Sequence, residues 1–320
     1  LDVEYEEFTF YNTQVLVADS HLTYHLNYDQ PYTAFKVTTQ NPETRLIIST
    51  KGEDYNLGLQ STGDDKESPP GFVITERPFT YLDIKASKSE SIAIELFYAP
   101  EIDEIKPVNL KAKKNNCSEP QAISYNTWRS GLPGPKQGRS STVVQHCIIH
   151  HSAGSNTDTN YTNIIRNIYL YHTQSNGWDD IGYNYVIAQN GDVYYGRDPQ
   201  MTTSQDQVQG AHYCGKNSGT MGICLLGNYN NVCPQDTMLK SLYKLLGWKL
   251  YKEDLEANSS FPHPSSLDPL LGAIAMHKDG CATQCPGDSV ELLMQDIKQE
   301  VQHVIDDCKG IVSVGKPTVT

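Results

Sequence analysis

The sequence predicts an α/β domain, a mixed central sheet flanked by helices, preceded by an all-β sandwich domain. Three observations carry this. Residues 1–105 hold short β-branched and aromatic runs, punctuated by Gly, Asn, Asp and Pro, with no helical period. From Cys117 onward, strand-like and helix-like patterns alternate. Between them the chain turns from acidic (Asp103-Glu104) to basic (Lys111-Ala112-Lys113-Lys114) and loses apolar period, which marks a linker over 106–116. The expected organisation is therefore a sandwich over 1–105, the linker, an α/β domain over 117–309 and a small, polar tail over 310–320.

At 320 residues the chain has room for two ordinary domains. It is 38% hydrophobic with a net charge of −13. No apolar run reaches the roughly 18 residues a membrane span needs, so membrane insertion is not expected. A strongly acidic chain repels phosphate backbones, so nucleic acid is not an expected partner. The first residues, Leu1-Asp2-Val3-Glu4, are acidic and lack the basic-then-apolar pattern of a signal peptide. The Tyr-, Asn- and Thr-rich composition and eight cysteines nonetheless favour a secreted or periplasmic protein whose signal has been removed. The sequence is silent on oligomeric state.

In the first domain the β runs fall at 8–11, 15–17, 32–37, 46–48, 71–74, 81–84 and 92–97. Its tyrosines read as core residues of a sandwich, and no catalytic constellation occurs there. In the second domain strands are expected at 142–150, 183–188, 192–195, 221–226 and 273–277, and helices near 160–172, 236–254 and 288–308. In the last helix Val290, Leu293, Ile297, Val301, Val304 and Cys308 recur at helical spacing, after a cap-like Asp288-Ser289. Asn190-Gly191 signals a tight hairpin.

The pattern richest in chemistry is His150-His151 with His277 and Cys285. His150 closes the apolar run Cys147-Ile148-Ile149, and His277 closes Ala273-Ile274-Ala275-Met276. Cys285 follows His277 by eight residues, in Cys285-Pro286-Gly287. Two imidazoles and a thiolate make a three-ligand zinc site with the fourth position free, the count of a catalytic rather than a structural site. Adjacent residues on a strand face opposite ways, so only one of His150 and His151 is a ligand; the spacing does not choose. A disulfide between Cys285 and Cys281 would abolish the site, since zinc needs the thiolate. Cys281 as a fourth ligand would instead close it to water. With Cys285 on a metal, seven cysteines remain, an odd number. Cys147 and Cys224 lie in expected buried strands, and Cys117 and Cys308 flank the second domain as a candidate clasp.

Five segments resemble one family in order. They are Ile149-His150-His151-Ser152-Ala153-Gly154, Gly177-Trp178-Asp179-Asp180-Ile181-Gly182-Tyr183-Asn184-Tyr185, Gly210-Ala211-His212, Met221-Gly222-Ile223 with Leu226-Gly227-Asn228-Tyr229, and His277-Lys278-Asp279 through Cys285-Pro286-Gly287. Together they resemble the zinc-dependent N-acetylmuramoyl-L-alanine amidase type 2 family, which includes the peptidoglycan recognition proteins. The resemblance covers about 117–308 and not 1–116. It implies one Zn2+ held by His150, His277 and Cys285. Members that only bind peptidoglycan typically lack the cysteine, so Cys285 implies an active enzyme; the alternative is a non-hydrolytic peptidoglycan-binding protein.

The implied reaction cleaves the amide joining N-acetylmuramic acid to L-alanine in peptidoglycan or muropeptides. Tyr183 matches the family's catalytic tyrosine, and Thr283 is a weaker candidate donor to the developing oxyanion. The resemblance places His212 and Asn217 by the substrate groove. His172, at an expected helix end, reads equally as a helix cap or a groove contact. The stretch 198–207 departs from the family pattern and is longer, which leaves stem-peptide specificity open.

Overall fold

A computed structural model describes residues 11–41, 43–57, 72–99, 117–264 and 270–311. The expected linker and all but the start of the tail lie outside these residues. The chain divides into two compact units that are not contiguous in sequence. One joins the N-terminal 104 residues with Asn126–Lys136 and Gly154–Ile181, and the other holds the remainder.

Among the described residues the first unit contains six strands, β1 (Tyr11–Ala18), β2 (Thr23–Thr39), β3 (Leu46–Thr50), β4 (Glu53–Leu57), β5 (Phe72–Ala86) and β6 (Glu90–Phe97). They form one antiparallel sheet in the order β1-β6-β2-β5-β3-β4. The all-β character matches expectation, but the described strands make one hydrogen-bonded sheet rather than the two of a sandwich. Strand β5 fuses two expected runs, and β2 begins well upstream of its apolar part. The upstream stretch of β2 alternates half-buried Tyr24, Leu26 and Tyr28 with exposed His25, Asn27 and Asp29, a period-2 pattern that the expected strand at 32–37 did not include. The register slips between Asn27 and Ala34, where the strand passes from this solvated stretch into the core. One face buries Phe35, Val37, Ile48, Phe79, Leu82, Ile84, Ile92 and Ile94 in a single cluster.

The same unit contains a single-turn helix α1 (Tyr125–Trp128), which begins at its boundary, and α2 (Tyr161–Leu170), which runs on through a π-helical turn over Tyr171–Ser175. Asn160 caps α2 by accepting from Asn163 N. All ten residues of α2 are buried, so it is covered all round. Arg166 donates to the carbonyls of Trp128 and Ser130, each at 2.7 Å, and Tyr169 packs edge-on against Trp128. The sheet reaches the helix through Thr33 Oγ1, which donates to Asn167 Oδ1 at 2.7 Å. Lys36 pairs with Glu95 at 3.5 Å, and both bond Ser175 Oγ.

The second unit holds β7 (His146–His151), β8 (Tyr185–Ile187), β9 (Val193–Tyr195), β10 (Thr220–Leu225), the short pair β11 (Ser260–Phe261) and β12 (Leu271–Gly272), and β13 (Ile274–Met276). Five strands make a mixed sheet in the order β13-β7-β10-β8-β9, parallel except for the β8–β9 hairpin at Asn190-Gly191. Helices α3 (Asp236–Lys252) and α4 (Asp288–Lys309) follow their expected spans to within two residues. Their apolar stripes, Leu242, Leu245 and Leu246 on α3 and Val290, Ile297, Val301 and Ile305 on α4, share a core with Cys147, Ile149, Met221, Ile223 and Leu225 of the sheet. Alternation then puts Ile148 and His150 on the opposite face of β7, where Ile148 packs with Tyr213, Leu271 and Ala275. Cys117 and Cys308 form the expected clasp across 191 residues. Among the described residues no helix is long and apolar enough to cross a membrane.

Candidate metal centre

The two central strands and the turn after β13 deliver the chemistry. His150 lies on β7, fully buried. His277 opens a one-turn 3-10 helix (His277–Asp279) directly after β13, rather than closing a strand. Asp279 accepts from Met276 N and so holds that turn. Cys285 is buried at 3% exposure, and its carbonyl accepts from Lys278 N at 3.0 Å, tying the two ligand-bearing segments together. The donor atoms of His150, His277 and Cys285 all lie within 4.8 Å of one another and could hold a metal ion. Cys285 Sγ is 3.8 Å from His150 Nδ1. A tetrahedral ion with zinc's bond lengths separates a nitrogen from a sulfur ligand by about 3.6 Å, so the donor set fits zinc.

The neighbours of Cys285 decide between the readings left open by the sequence. Cys281 is bonded to Cys214, so Cys285 is outside any disulfide and Cys281 is not available as a fourth ligand. Cys147, Cys224 and Cys233 are also outside any disulfide, the first two buried as expected. Cys285 Sγ accepts from His151 N at 3.3 Å, a contact that favours a thiolate. His151 faces away from the donor group. Its Nδ1 accepts from Tyr229 N, and burial, with the nearby His277, lowers its pKa to about 4.

Tyr183 is 7% exposed, and its ring centroid is 5.2 Å from that of His150. Its carbonyl accepts from Arg197 N, fixing the start of the β8 strand. Thr283 is half-buried, and its hydroxyl accepts from Cys285 N at 3.1 Å. Its first effect is therefore on the shape of the ligand loop.

His212, expected by the substrate groove, is buried. Its ring is 1% exposed, with Nδ1 3.0 Å from His150 Nε2 and Nε2 3.2 Å from Thr220 Oγ1. Both ring nitrogens are thus engaged inside the protein. Burial, with smaller contributions from His277 and Arg197, lowers its pKa to about 3, so it is neutral. Asn217 Oδ1 accepts from the backbone N–H of His212 and Tyr213, which makes that side chain a turn former. His172 lies in the first unit, in the π turn at the helix end, 5% exposed and stacked on Trp178 at 4.6 Å. Thr220 had no role in the sequence reading, and Gly222 appeared there only within a motif of the resemblance; both lie on the strand beside β7.

The family model described as N-acetylmuramoyl-L-alanine amidase matches residues 140–288. Peptidoglycan-recognition protein SC1a of Drosophila melanogaster is 34% identical over 146 residues, 45% of this chain and 68% of that protein. Peptidoglycan-recognition protein SC2 of the same species is 38% identical over 110 residues, 34% of this chain and 55% of that one. The chain thus spans about half the length of some curated relatives it matches. Among solved structures, that of Drosophila peptidoglycan recognition protein SD gives a TM-score of 0.44 at 25% identity, covering 56% of this chain and 94% of that one. The chain belongs to the type 2 amidase and peptidoglycan-recognition protein family.

Proposed function

We propose that the protein is a zinc-dependent hydrolase cleaving the amide bond between N-acetylmuramic acid and L-alanine in peptidoglycan or its muropeptide fragments. The observation that supports this reading most is the buried donor group of His150, His277 and Cys285, which among the described residues has three members and so suits a catalytic ion. Zinc bound there supplies a Lewis acid for the amide carbonyl and a nucleophilic water near neutral pH. The chain's own residues do the rest. His150 and His277 offer imidazole nitrogens, and Cys285 offers a sulfur steadied by His151 N. Tyr183 donates its hydroxyl to the carbonyl oxygen as negative charge develops there. Thr283 holds the Cys285 loop and is a second, weaker donor. The substrate class comes from the peptidoglycan-recognition relatives, and the retained Cys285 favours hydrolysis over binding alone. The disulfides Cys117–Cys308 and Cys214–Cys281 support an oxidising location, outside the cell or in a periplasm.

The test is mass spectrometry of a defined muramyl peptide incubated with zinc-loaded protein, with Cys285→Ser alongside. Release of a peptide beginning at L-alanine is expected from the wild type alone. Intact substrate that nevertheless binds the wild type would make the protein a recognition module.

A further inference from the structure

We propose that His212 is a positioning residue that fixes the tautomer of His150, so that His150 carries its proton on Nε2 and presents bare Nδ1 to the metal position. This rests on the metal reading above for its purpose, but not for its geometry.

The inference starts at the far end of a hydrogen-bond chain. The carbonyl of Asn217 can only accept, and the Thr220 hydroxyl donates to it at 2.9 Å. That hydroxyl has one hydrogen, so towards His212 it is an acceptor, and His212 Nε2 carries a proton. A neutral imidazole protonated at Nε2 has a bare Nδ1. His212 Nδ1 therefore accepts from His150 Nε2–H across 3.0 Å. His150 in turn has its lone pair on Nδ1, the atom 3.8 Å from Cys285 Sγ. Each link has one permitted direction, and the direction is set by a backbone carbonyl three residues from Thr220.

The ring that relays this order sits in a slot built for it. A Cβ on Gly222, on β10, would lie 2.6 Å from ring atoms of His212, and one on Gly210 would lie 2.5 Å away. The two glycines let the backbone close around the imidazole, while Asn217 Oδ1 holds the His212 backbone from the other side. A ligand histidine needs such an outer partner because the wrong tautomer would aim an N–H at the ion, and loss of the partner typically costs 10–100-fold in metal affinity.

Long-range 1H–15N correlation of the imidazoles in zinc-free, full-length protein tests this directly. Both His150 and His212 are expected as Nε2–H tautomers. Zinc affinity, by competition with a chromophoric chelator, is expected to fall about 10–100-fold in His212→Phe. His212→Asn, whose Oδ1 overlays the lost Nδ1, should restore most of it. Thr220→Val, which removes only the acceptor at the far end, should blur the His212 tautomer without removing its ring. A proton found on His150 Nδ1 in the zinc-free wild type, or unchanged zinc affinity in His212→Phe, overturns the proposal. Neither readout uses hydrolysis, so a protein that binds zinc but cleaves no muropeptide would fail the amidase reading and leave this one standing.

Discussion

Tyr183 offers the cleanest separation of a functional group from its packing. Its ring is nearly buried beside His150, so Tyr183→Phe keeps the shape and removes one hydroxyl. Zinc content should be unchanged, while kcat on a muramyl peptide should fall about 10²–10³-fold, the usual effect of deleting one oxyanion donor. Metal analysis beside the rate makes the test specific, and a wild-type kcat would remove Tyr183 from the chemistry. The candidate donor residues were legible in the sequence because ligation depends on residue type. The family resemblance chose His150 over His151, and the structure brings His150, not His151, within 4.8 Å of the donor atoms of His277 and Cys285. The burial of His212 was not legible, because sequence gives proximity along the chain but not direction. Nothing in Gly210-Ala211-His212 says that the ring turns inward; that depends on Gly222, brought alongside by a different strand.

At the scale of elements, the stretch that departs from the family pattern is anchored by buried charge. Asp206 is 2% exposed and takes hydrogen bonds from Lys249 at 2.6 Å and Lys252 at 2.7 Å. Lys249 is fully buried on α3 and also bonds Glu253. Beside Asp206, Gln205 Nε2 donates to the carbonyl of Asn184, and Asn184 Nδ2 donates to that of Val208. Asn184 follows Tyr183 directly, so this clamp braces the segment between the proposed catalytic residue and the start of β8.

The helix α3 was readable from its apolar period, but its buried lysine was not, since the partner carboxylate lies 43 residues away. Lys249→Met should cost roughly 2–3 kcal/mol in denaturant unfolding, short of the full price of an orphaned buried charge because Lys252 still faces Asp206. Burial pushes the Asp206 pKa up, but the Lys249 and Lys252 hydrogen bonds outweigh it and bring it down to about 2. A depressed carboxylate pKa stabilises the fold above the unfolded value, near 4, and loses that contribution as pH falls towards 2. Wild type should therefore lose stability over that window more steeply than Asp206→Asn. Parallel acid titrations of the two would refute the clamp.

At the scale of the whole molecule, the division into two units bears on what the N-terminal sheet is for. Composition alone makes residues 1–105 a separable domain behind a linker. The compact units cut the chain differently, because Asn126–Lys136 and Gly154–Ile181, both far beyond that linker, cluster with the sheet. The reason is local and physical. Helix α2 has no exposed face, and an amphipathic reading of its sequence cannot say what covers each side. Part of the cover comes from the sheet: Thr33 satisfies Asn167, Lys36 lies over the Tyr171 ring at 5.5 Å, and Lys36 and Glu95 both bond Ser175.

Deleting residues 1–105 would leave Asn167 without its buried partner and open part of α2 to water. The lost hydrogen bond and apolar cover together are worth roughly 2 kcal/mol or more. For the remaining chain of about 200 residues that corresponds to a melting temperature lower by about 4–8 °C. Calorimetry of the deletion variant against the full chain measures this without reference to substrate. An equal melting temperature would make the sheet a tether, free to act in targeting alone. A lower one would make it a structural part of the unit that carries α2, and any loss of activity on deletion would then have to be corrected for stability before it is read as loss of targeting.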